Sequence, residues 1–515
     1  MAGQVQLQQQ HQRIKLKVRW GLLFCRNNYI QIRAIDNKNM HLSTLKSLSL
    51  NKQAIEKFSF VLLLALLVWL PIPLGSNRPW AWSLMEVISF ILFALITICY
   101  SKQQLQTQLK PFRFLIFAIG GFVVYQFAQL IPLPHSMLSI LSHNSADIIS
   151  LTNTDQNIWH SIALDPVQAK IASLKGLSYF CIMLSTLVLV NDFKRLKTIM
   201  LCIVIAGTFQ AFYGASVALS QLPQSPVLGL NNSDIATGSF VYKNHFANFL
   251  VMTLSIGIGY LVATLDKQKL ANKGKTAITF LNTLMSGKGA LRIALAIMVI
   301  AIVLSRSRMG NTAFFVALTI TGILALWFMK TKSRSLMWLV ISLLIIDTFI
   351  LGAYFGLDKV KQRLENTRIE TEQRVDVNEY SLDLIRSFPL TGTGGGSYYS
   401  TFPIVQGQDI KSFYDHAHND YVQFTSEYGI PATIWLGILV LYSLIISINA
   451  MKQRNSRFLR GLGFATTMAI TGMLIHISVD FNLQAPANAA YFHVVLALAW
   501  IANYGLHSAK NITKF

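Results

Sequence analysis

Two histidines and an asparagine form the first candidate catalytic site in the sequence. His416, His418 and Asn419 lie in the stretch His-Ala-His-Asn-Asp, and Glu427 and Gly429 follow shortly after. Histidine is the usual general base near neutral pH, and two histidines two residues apart point the same way in an extended segment. The pattern favours His418 as a catalytic base, with His416 and Asn419 binding substrate beside it, over a polar helix start capped by Asn419.

The same stretch offers oxygen and nitrogen ligands, but its spacing matches no known metal site. A metal ion would need a third ligand besides the two histidines, which Asp415, Asp420 or Glu427 could supply. No His-Glu-x-x-His or comparable pattern is present. The spacing therefore gives no positive evidence for a metal site, although these residues could supply one.

A short turn rich in arginine is the second candidate. Arg306 and Arg308 lie in Ser-Arg-Ser-Arg-Met-Gly, between two apolar runs. Arginine at a membrane edge is costly unless it is paired or bound to an anion, and its planar guanidinium group can donate two hydrogen bonds to one phosphate. The turn predicts a pyrophosphate clamp, although two arginines that anchor a helix end at the membrane surface fit it equally well.

Further cations and polar groups precede other apolar runs. Lys243, Asn244 and His245 open one run and could contact a sugar or phosphate, but they also fit an ordinary interfacial helix start. Arg374 is another candidate contact for an anion.

Two more polar stretches look like supporting structure. Residues 389–397, Pro-Leu-Thr-Gly-Thr-Gly-Gly-Gly-Ser, resemble a phosphate loop, but no Lys-Ser or Lys-Thr pair follows the glycines, so they favour a flexible turn. Residues 476–488 are dense in hydrogen-bonding groups. They would suit a saccharide, and we slightly prefer a polar cap on two helix ends.

The elements that position these residues are membrane helices. Of 515 residues, 53% are hydrophobic and only 13% are charged, whereas soluble domains carry about 25% charged residues. The net charge of +22 is typical of basic cytoplasmic loops in membrane proteins, and we expect no nucleic-acid partner. The four cysteines form no Cys-x-x-Cys pair, which argues against a disulfide framework or a zinc site.

Twelve apolar runs predict an all-α polytopic membrane protein surrounded by membrane lipids. The predicted spans are 58–75, 81–100, 114–133, 171–190, 198–219, 245–264, 291–305, 312–328, 336–355, 429–449, 460–479 and 485–505. A long loop at 356–428 separates spans nine and ten.

Lysine and arginine orient these spans. Basic clusters recur in the connections on one side, whereas the short connections on the other side hold only Arg78, Lys170, Lys243, Arg306 and Arg308. Because basic loops resist translocation, we expect both termini in the cytoplasm and the candidate residues on the outer side.

This topology predicts three parts of the chain. They are a basic cytoplasmic tail at 1–57, a transmembrane domain at 58–505 and a cytoplasmic tail at 506–515. The first apolar run lacks a small-residue cleavage site, so we expect no cleavable signal peptide. One hypothesis is that translation begins at Met40, which N-terminal sequencing of the native protein would test.

Taken in order, the motifs resemble the O-antigen ligase and polymerase superfamily of polytopic bacterial proteins. The resemblance covers residues 58–505. It rests on the arginine turn, the long outer loop, His418-Asn419 followed by Gly429, and the stretches 238–247, 389–394 and 480–488. One departure is Ala432, where ligases often carry Gly, Thr or Tyr.

The resemblance implies a metal-independent glycosyltransferase, without any other cofactor, that moves a glycan from undecaprenyl pyrophosphate to an acceptor hydroxyl. It places the reaction at the periplasmic face of the bacterial inner membrane. It also implies that Arg308 contacts the pyrophosphate and that His418 is the essential histidine. Lipid A core is the expected acceptor, as in an O-antigen ligase; a growing O-antigen or exopolysaccharide chain and a protein serine are the alternatives.

A transporter of lipid-linked glycans or solutes is the alternative from a different class. Transporters carry charges deep within spans and often show inverted repeats. Glu86 is the main candidate for such a charge, and no internal repeat is evident. Since the polar residues gather at the outer rim instead, the sequence favours a transferase.

Overall fold

The computed structural model describes residues 38–152, 159–220, 222–226, 229, 234–264, 287–329, 341, 345 and 374–506. The chain divides into two compact units, Met1–Phe58 and Ser59–Phe515. In the first unit the described residues are helical. The second unit holds every candidate residue named above.

The described residues are mainly helical and contain no β-strand. The helices are α1 (Lys38–Trp69), α2 (Pro79–Cys99), α3 (Lys102–Leu109), α4 (Arg113–Ala128), α5 (His135–Leu141), α6 (His143–Thr152), α7 (Pro166–Leu189), α8 (Phe193–Leu219), α9 (Lys243–Thr264), α10 (Gly287–Leu304), α11 (Arg308–Phe328), α12 (Tyr398–Thr401), α13 (Asp420–Gln453), α14 (Arg457–His476) and α15 (Pro486–Tyr504). Residues 374–387 are also helical.

The predicted all-α polytopic membrane fold is confirmed. Each predicted span overlaps a helix, apart from 336–355, which lies outside the described residues except at 341 and 345. Within the described part of the chain, eight helical segments are long and apolar enough to cross a membrane, and α10 is a shorter apolar helix. The number of twelve spans therefore stays a prediction.

Proline shortens one predicted span, and glycine interrupts a longer helix at the predicted start of another. Helix α1 ends at Trp69, before the predicted limit at 75, because Pro71 and Pro73 cannot continue a helix. Helix α13 begins at Asp420, well before the predicted start at 429. It is interrupted at Gly429, whose φ of 80° and ψ of 165° are not helical.

Helices α9 and α14 pack tightly against each other at the centre of the bundle. Small residues permit this close approach, since a Cβ atom on Gly259 would overlap Ala465 and the carbonyl oxygen of Gly461. The start of α9 and the end of α14 are thereby held at the same end of the bundle. His245 lies in the first turn of α9, and His476 lies in the last turn of α14.

The described part of the long loop covers this end and has a small core of its own. Val377, Tyr398, Phe402, Ile410 and Ala417 are buried together. Ala417 separates the two histidines of the His-Ala-His motif, so its burial anchors both of them.

Candidate active site

The first residue of α13 fastens the histidine motif to the turn between α14 and α15. The Asp420 carboxylate accepts hydrogen bonds from the Leu483 N–H (2.9 Å) and from the side-chain amide of Gln484 (3.1 Å). The Asp420 N–H in turn donates to the carbonyl groups of Ile477 and Asp480. The start of α13 and this turn therefore form one unit.

This docking sets His418 beside Asp480. The Nδ1 atom of His418 lies 3.9 Å from Oδ1 of Asp480, and Nε2 of His476 lies 3.9 Å from the other carboxylate oxygen. Asp480 and His476 are buried, whereas 16% of the His418 side chain is exposed. Of these three groups, His418 is the one that a substrate can reach.

The buried carboxylate is kept ionised by its neighbours. Burial acts to raise the pKa of Asp480, but the imidazoles of His418 and His476 outweigh it and bring the pKa below its ordinary value. A carboxylate facing Nδ1 favours the tautomer with its hydrogen there and leaves Nε2 of His418 free to accept a proton. The distance of 3.9 Å exceeds a hydrogen bond, and catalytic hydrogen bonds often shorten when substrate binds.

His418 and Arg306 share an uncommon backbone conformation. Both have a φ of 52°, in the left-handed region that non-glycine residues seldom adopt. Directly after His418, the Asn419 side chain caps α13 by accepting hydrogen bonds from the N–H groups of Tyr421 (3.0 Å) and Val422 (3.4 Å). Strained backbone is concentrated at functional sites, so the conformation is consistent with both functional assignments.

Phe481 joins histidines from separate parts of the chain. The ring of His416 stacks on it with 4.3 Å between centroids. His418 and His245 meet it edge-on at 4.7 and 4.8 Å, and Tyr242 stacks at 5.5 Å. We call these five residues the histidine cluster.

Tyr242 connects the histidine cluster to a cation. Its hydroxyl oxygen accepts hydrogen bonds from the guanidinium group of Arg374 (3.3 Å) and from the amide of Asn244 (2.8 Å). Burial and the charge of Asp480 raise the pKa of Tyr242 to about 12, against the opposing effects of Arg374 and Asn244. Tyr242 is therefore a neutral phenol that positions Arg374 at the edge of the cluster.

His416 is held as a neutral ring. The Gln423 side-chain amide lies 3.1 Å from its Nδ1 atom and donates a hydrogen bond to Glu427 (3.0 Å). Burial lowers the pKa of His416, more than the charge of Asp415 and the contact with Gln423 raise it. Its ring therefore serves as a wall of the site.

The start of α9 supports the cluster from behind. Asn244 and His245 are buried there, and the His245 carbonyl accepts a hydrogen bond from Asn488 on α15 (3.0 Å). Lys243, the first residue of the helix, is partly buried. Residues 243–245 thus form the helix start that the sequence also suggested, and their binding role stays a prediction.

The arginine turn packs beside the same helix. A Cβ atom on Gly310 would lie 2.6 Å from the Cβ of Ala247, so the turn and the first turns of α9 are in contact. Arg308 is exposed and Arg306 is partly buried. The structure brings both arginines next to the helix that carries His245, although neither belongs to the histidine cluster itself.

The glycine-rich stretch 389–397 is packed, and its interpretation as a flexible turn was wrong. The Thr393 N–H donates to the Ser426 carbonyl (2.9 Å). A Cβ atom on Gly392, where φ is 67°, would overlap the carbonyl group of Glu427. The stretch therefore braces the first turns of α13, through contacts with residues distant in sequence.

Residues 293–436 match the family model of the O-antigen ligases. The match supports the resemblance of the chain to the O-antigen ligase superfamily. The matched region contains Arg306, Arg308, Arg374 and His418, and the match supports a membrane glycosyltransferase of the general ligase and polymerase type. A search of curated proteins found no match to the chain.

Three residues of the site were missed by sequence reasoning, and all lie outside the matched ligase domain. They are Tyr242, Asp480 and Phe481. Asp480 and Phe481 begin one of the motifs that carried the resemblance, but the motif was interpreted as a helix cap. The sequence did show that Asp480 is an acidic residue directly after an apolar span. It did not indicate that Asp480 lies beside His418.

Proposed function

We propose that this ligase-type protein transfers a glycan from undecaprenyl pyrophosphate to an acceptor hydroxyl on the periplasmic face of the bacterial inner membrane. An O-antigen ligase with lipid A core as its acceptor is the leading form of this proposal. The observation that carries it is the pairing of His418 with Asp480 in a cluster whose other edge holds Arg374. A general base that is oriented by a carboxylate, with a cation nearby, suits the transfer of a glycan from a phosphate leaving group.

In this mechanism Nε2 of His418 takes the proton of the acceptor hydroxyl. The acceptor oxygen attacks the anomeric carbon, the bond from that carbon to the pyrophosphate oxygen breaks, and undecaprenyl pyrophosphate leaves with the electron pair. Asp480 stabilises the imidazolium that forms. A single displacement of this kind inverts the configuration at the anomeric carbon.

Negative charge develops on the leaving pyrophosphate, and guanidinium groups can neutralise it. Arg308 is the main contact in this proposal, supported by Arg306, Arg374 and Lys243. We propose that these side chains, and not a metal ion, stabilise the leaving group. Their placement along the start of α9 and the loop edge supports this role.

The test is surface glycolipid from a strain that lacks the gene, complemented with wild type, His418→Ala or His143→Ala. His143 is exposed and pairs with Asp147, so its variant is the matched control. We expect His143→Ala to restore the wild-type pattern and His418→Ala to restore nothing while still inserting in the membrane.

The pattern of loss identifies the reaction. Loss of long chains from lipid A core with accumulation of lipid-linked polymer means a ligase, and single repeat units on the core mean a polymerase. An unchanged lipid A ladder with loss of another polysaccharide or of protein glycosylation means a different acceptor. No change in any glycan would contradict the proposal and favour a transporter.

A further inference from the structure

A cavity of about 450 Å³ lies next to the histidine cluster. His416 belongs to both, because its ring stacks on Phe481 and also lines the cavity. The mechanism proposed above uses neither the cavity nor the partly buried Lys175, the one lysine or arginine among its lining residues.

The lower part of the cavity is apolar and reaches into the bundle. Its walls come from α4, α13 and α15 and include Ile119, Val123, Leu436, Val440 and Leu496. Leu496 lies about 15 Å along α15 from its start, at a rise of about 1.5 Å per residue. This space suits a hydrocarbon chain.

The upper part combines polar side chains with aromatic rings. Asp415, Gln168 and Gln484 line it, together with the rings of Tyr399 and Tyr421. Amides and carboxylates hydrogen-bond hydroxyl groups, and aromatic faces give a sugar ring an apolar surface. These groups suit a saccharide.

The cavity is lined by few cations and therefore does not suit a pyrophosphate. Three carboxyl groups line it, on Asp415, Asp420 and Glu427, against the single ammonium group of Lys175. That ammonium group lies 3.9 Å above the ring centre of Trp82 and in the field of Glu427 and Glu86. The candidate pyrophosphate cations lie instead beside α9 and Tyr242.

Helix α13 leaves the cavity open beside Gly437. This residue lines the cavity and is exposed, and no atom lies within 4 Å of the position its Cβ would take. A larger side chain can therefore be placed at Gly437 without a clash in the fold.

We propose that this cavity binds a glycolipid through an uncharged sugar at the polar end near His416 and through one hydrocarbon chain along α4, α13 and α15. Its role as the acceptor side of the reaction rests on the proposed function. The cavity, which is poor in cations, then holds the acceptor sugar, and the cationic edge at Tyr242 holds the donor pyrophosphate, on either side of His416 and Phe481.

The test uses the purified full-length protein in detergent and an alkyl glucoside that carries a photoreactive diazirine on its chain. After irradiation, mass spectrometry should locate the label on peptides of α4 or α13 that line the cavity. Dodecyl glucoside should compete with the label, and dodecyl phosphate should compete at least about tenfold less well.

A matched pair of glycine variants tests the location. Gly437→Leu should lower labelling about tenfold, because a side chain filling an apolar pocket excludes ligand groups of similar size. Gly121→Leu on α4 is the control, since Gly121 is exposed, has no atom within 4 Å of its Cβ position and does not line the cavity. Its labelling should equal that of wild type.

Three results would each overturn the proposal. They are labelling outside the cavity, equal labelling of Gly437→Leu and Gly121→Leu, and competition by dodecyl phosphate that is stronger than competition by dodecyl glucoside and is abolished by Lys175→Met. The assay needs no turnover, so its result is separate from the outcome of the transfer experiment. Where wild type transfers glycan, Gly437→Leu should raise the KM for the acceptor and leave the KM for the donor unchanged.

Discussion

Nδ1 of His418 lies 3.9 Å from Oδ1 of Asp480, although the two residues belong to different loops of the chain. The carboxyl group of Asp480 is buried while the imidazole of His418 is partly open, so the pair has one side facing the protein and one facing substrate. This is the geometry of a base oriented by an acid.

Replacing Asp480 by asparagine should slow glycan transfer by about 10²- to 10⁴-fold, because an amide cannot stabilise the imidazolium of His418. The initial rate with purified protein, lipid-linked glycan and acceptor measures this effect. Asp383→Asn is the control, since Asp383 is exposed and pairs with Arg386 on the surface. A normal rate for Asp480→Asn would refute the orienting role.

Arg308→Lys should reduce transfer by about 10²-fold or more, because a lysine keeps the charge but cannot form two parallel hydrogen bonds with one phosphate. Rates measured over a range of donor concentrations would detect the loss. The conservative control is Arg386→Lys, which changes an exposed arginine paired with Asp383. If both variants behave like wild type, Arg308 is a membrane anchor and not a phosphate contact.

Gly392→Ala should destabilise the fold by about 1–3 kcal/mol, because alanine is strained at its φ of 67° and its Cβ would overlap the backbone of Glu427. Thermal unfolding in detergent should show a lower midpoint. Gly121→Ala, in open space on α4, should leave the midpoint unchanged. Equal midpoints for the two variants would show that the glycine-rich stretch does not brace α13.

The free energy of unfolding should decrease as the pH falls below 6.5, the ordinary pKa of histidine. His416 should contribute to this decrease. Its pKa is lowered by burial, so below 6.5 the unfolded chain takes up a proton that the folded chain refuses. Part of the stability present above that pH is therefore lost as pH falls.

The comparison of wild type with His416→Gln isolates this contribution. Thermal midpoints at about pH 7.5 and about pH 5 should differ less in the variant, which has no imidazole to protonate there. Other buried histidines are common to both proteins and cancel in the difference. An equal or larger drop in the variant would contradict the assignment.

Local patterns in the sequence predicted the helices correctly and identified candidate residues, some of which the structure brings together. Apolar runs marked the helices, and His418 and Arg374 were identified by type and by their position outside these runs. Asn419 was recognised both as a candidate contact and as a helix cap, and the structure shows the cap.

Contacts between distant residues could not be predicted in this way. Asp480 lies beside His418 because Asp420 joins the start of α13 to the turn between α14 and α15. The glycine-rich stretch seemed mobile because its partners, Ser426 and Glu427, belong to another element. Neither contact can be recognised from the sequence of only one of the two segments that form it.

The division of the site between two loops has a consequence for chimeric proteins. A graft of residues 374–419 into a related scaffold would transfer His418 and Arg374 but leave behind the carboxylate of Asp480 and the ring of Phe481. Such a hybrid would carry the base without the group that orients it. Exchange of specificity between relatives therefore requires the loop and the turn at 477–484 to be moved together.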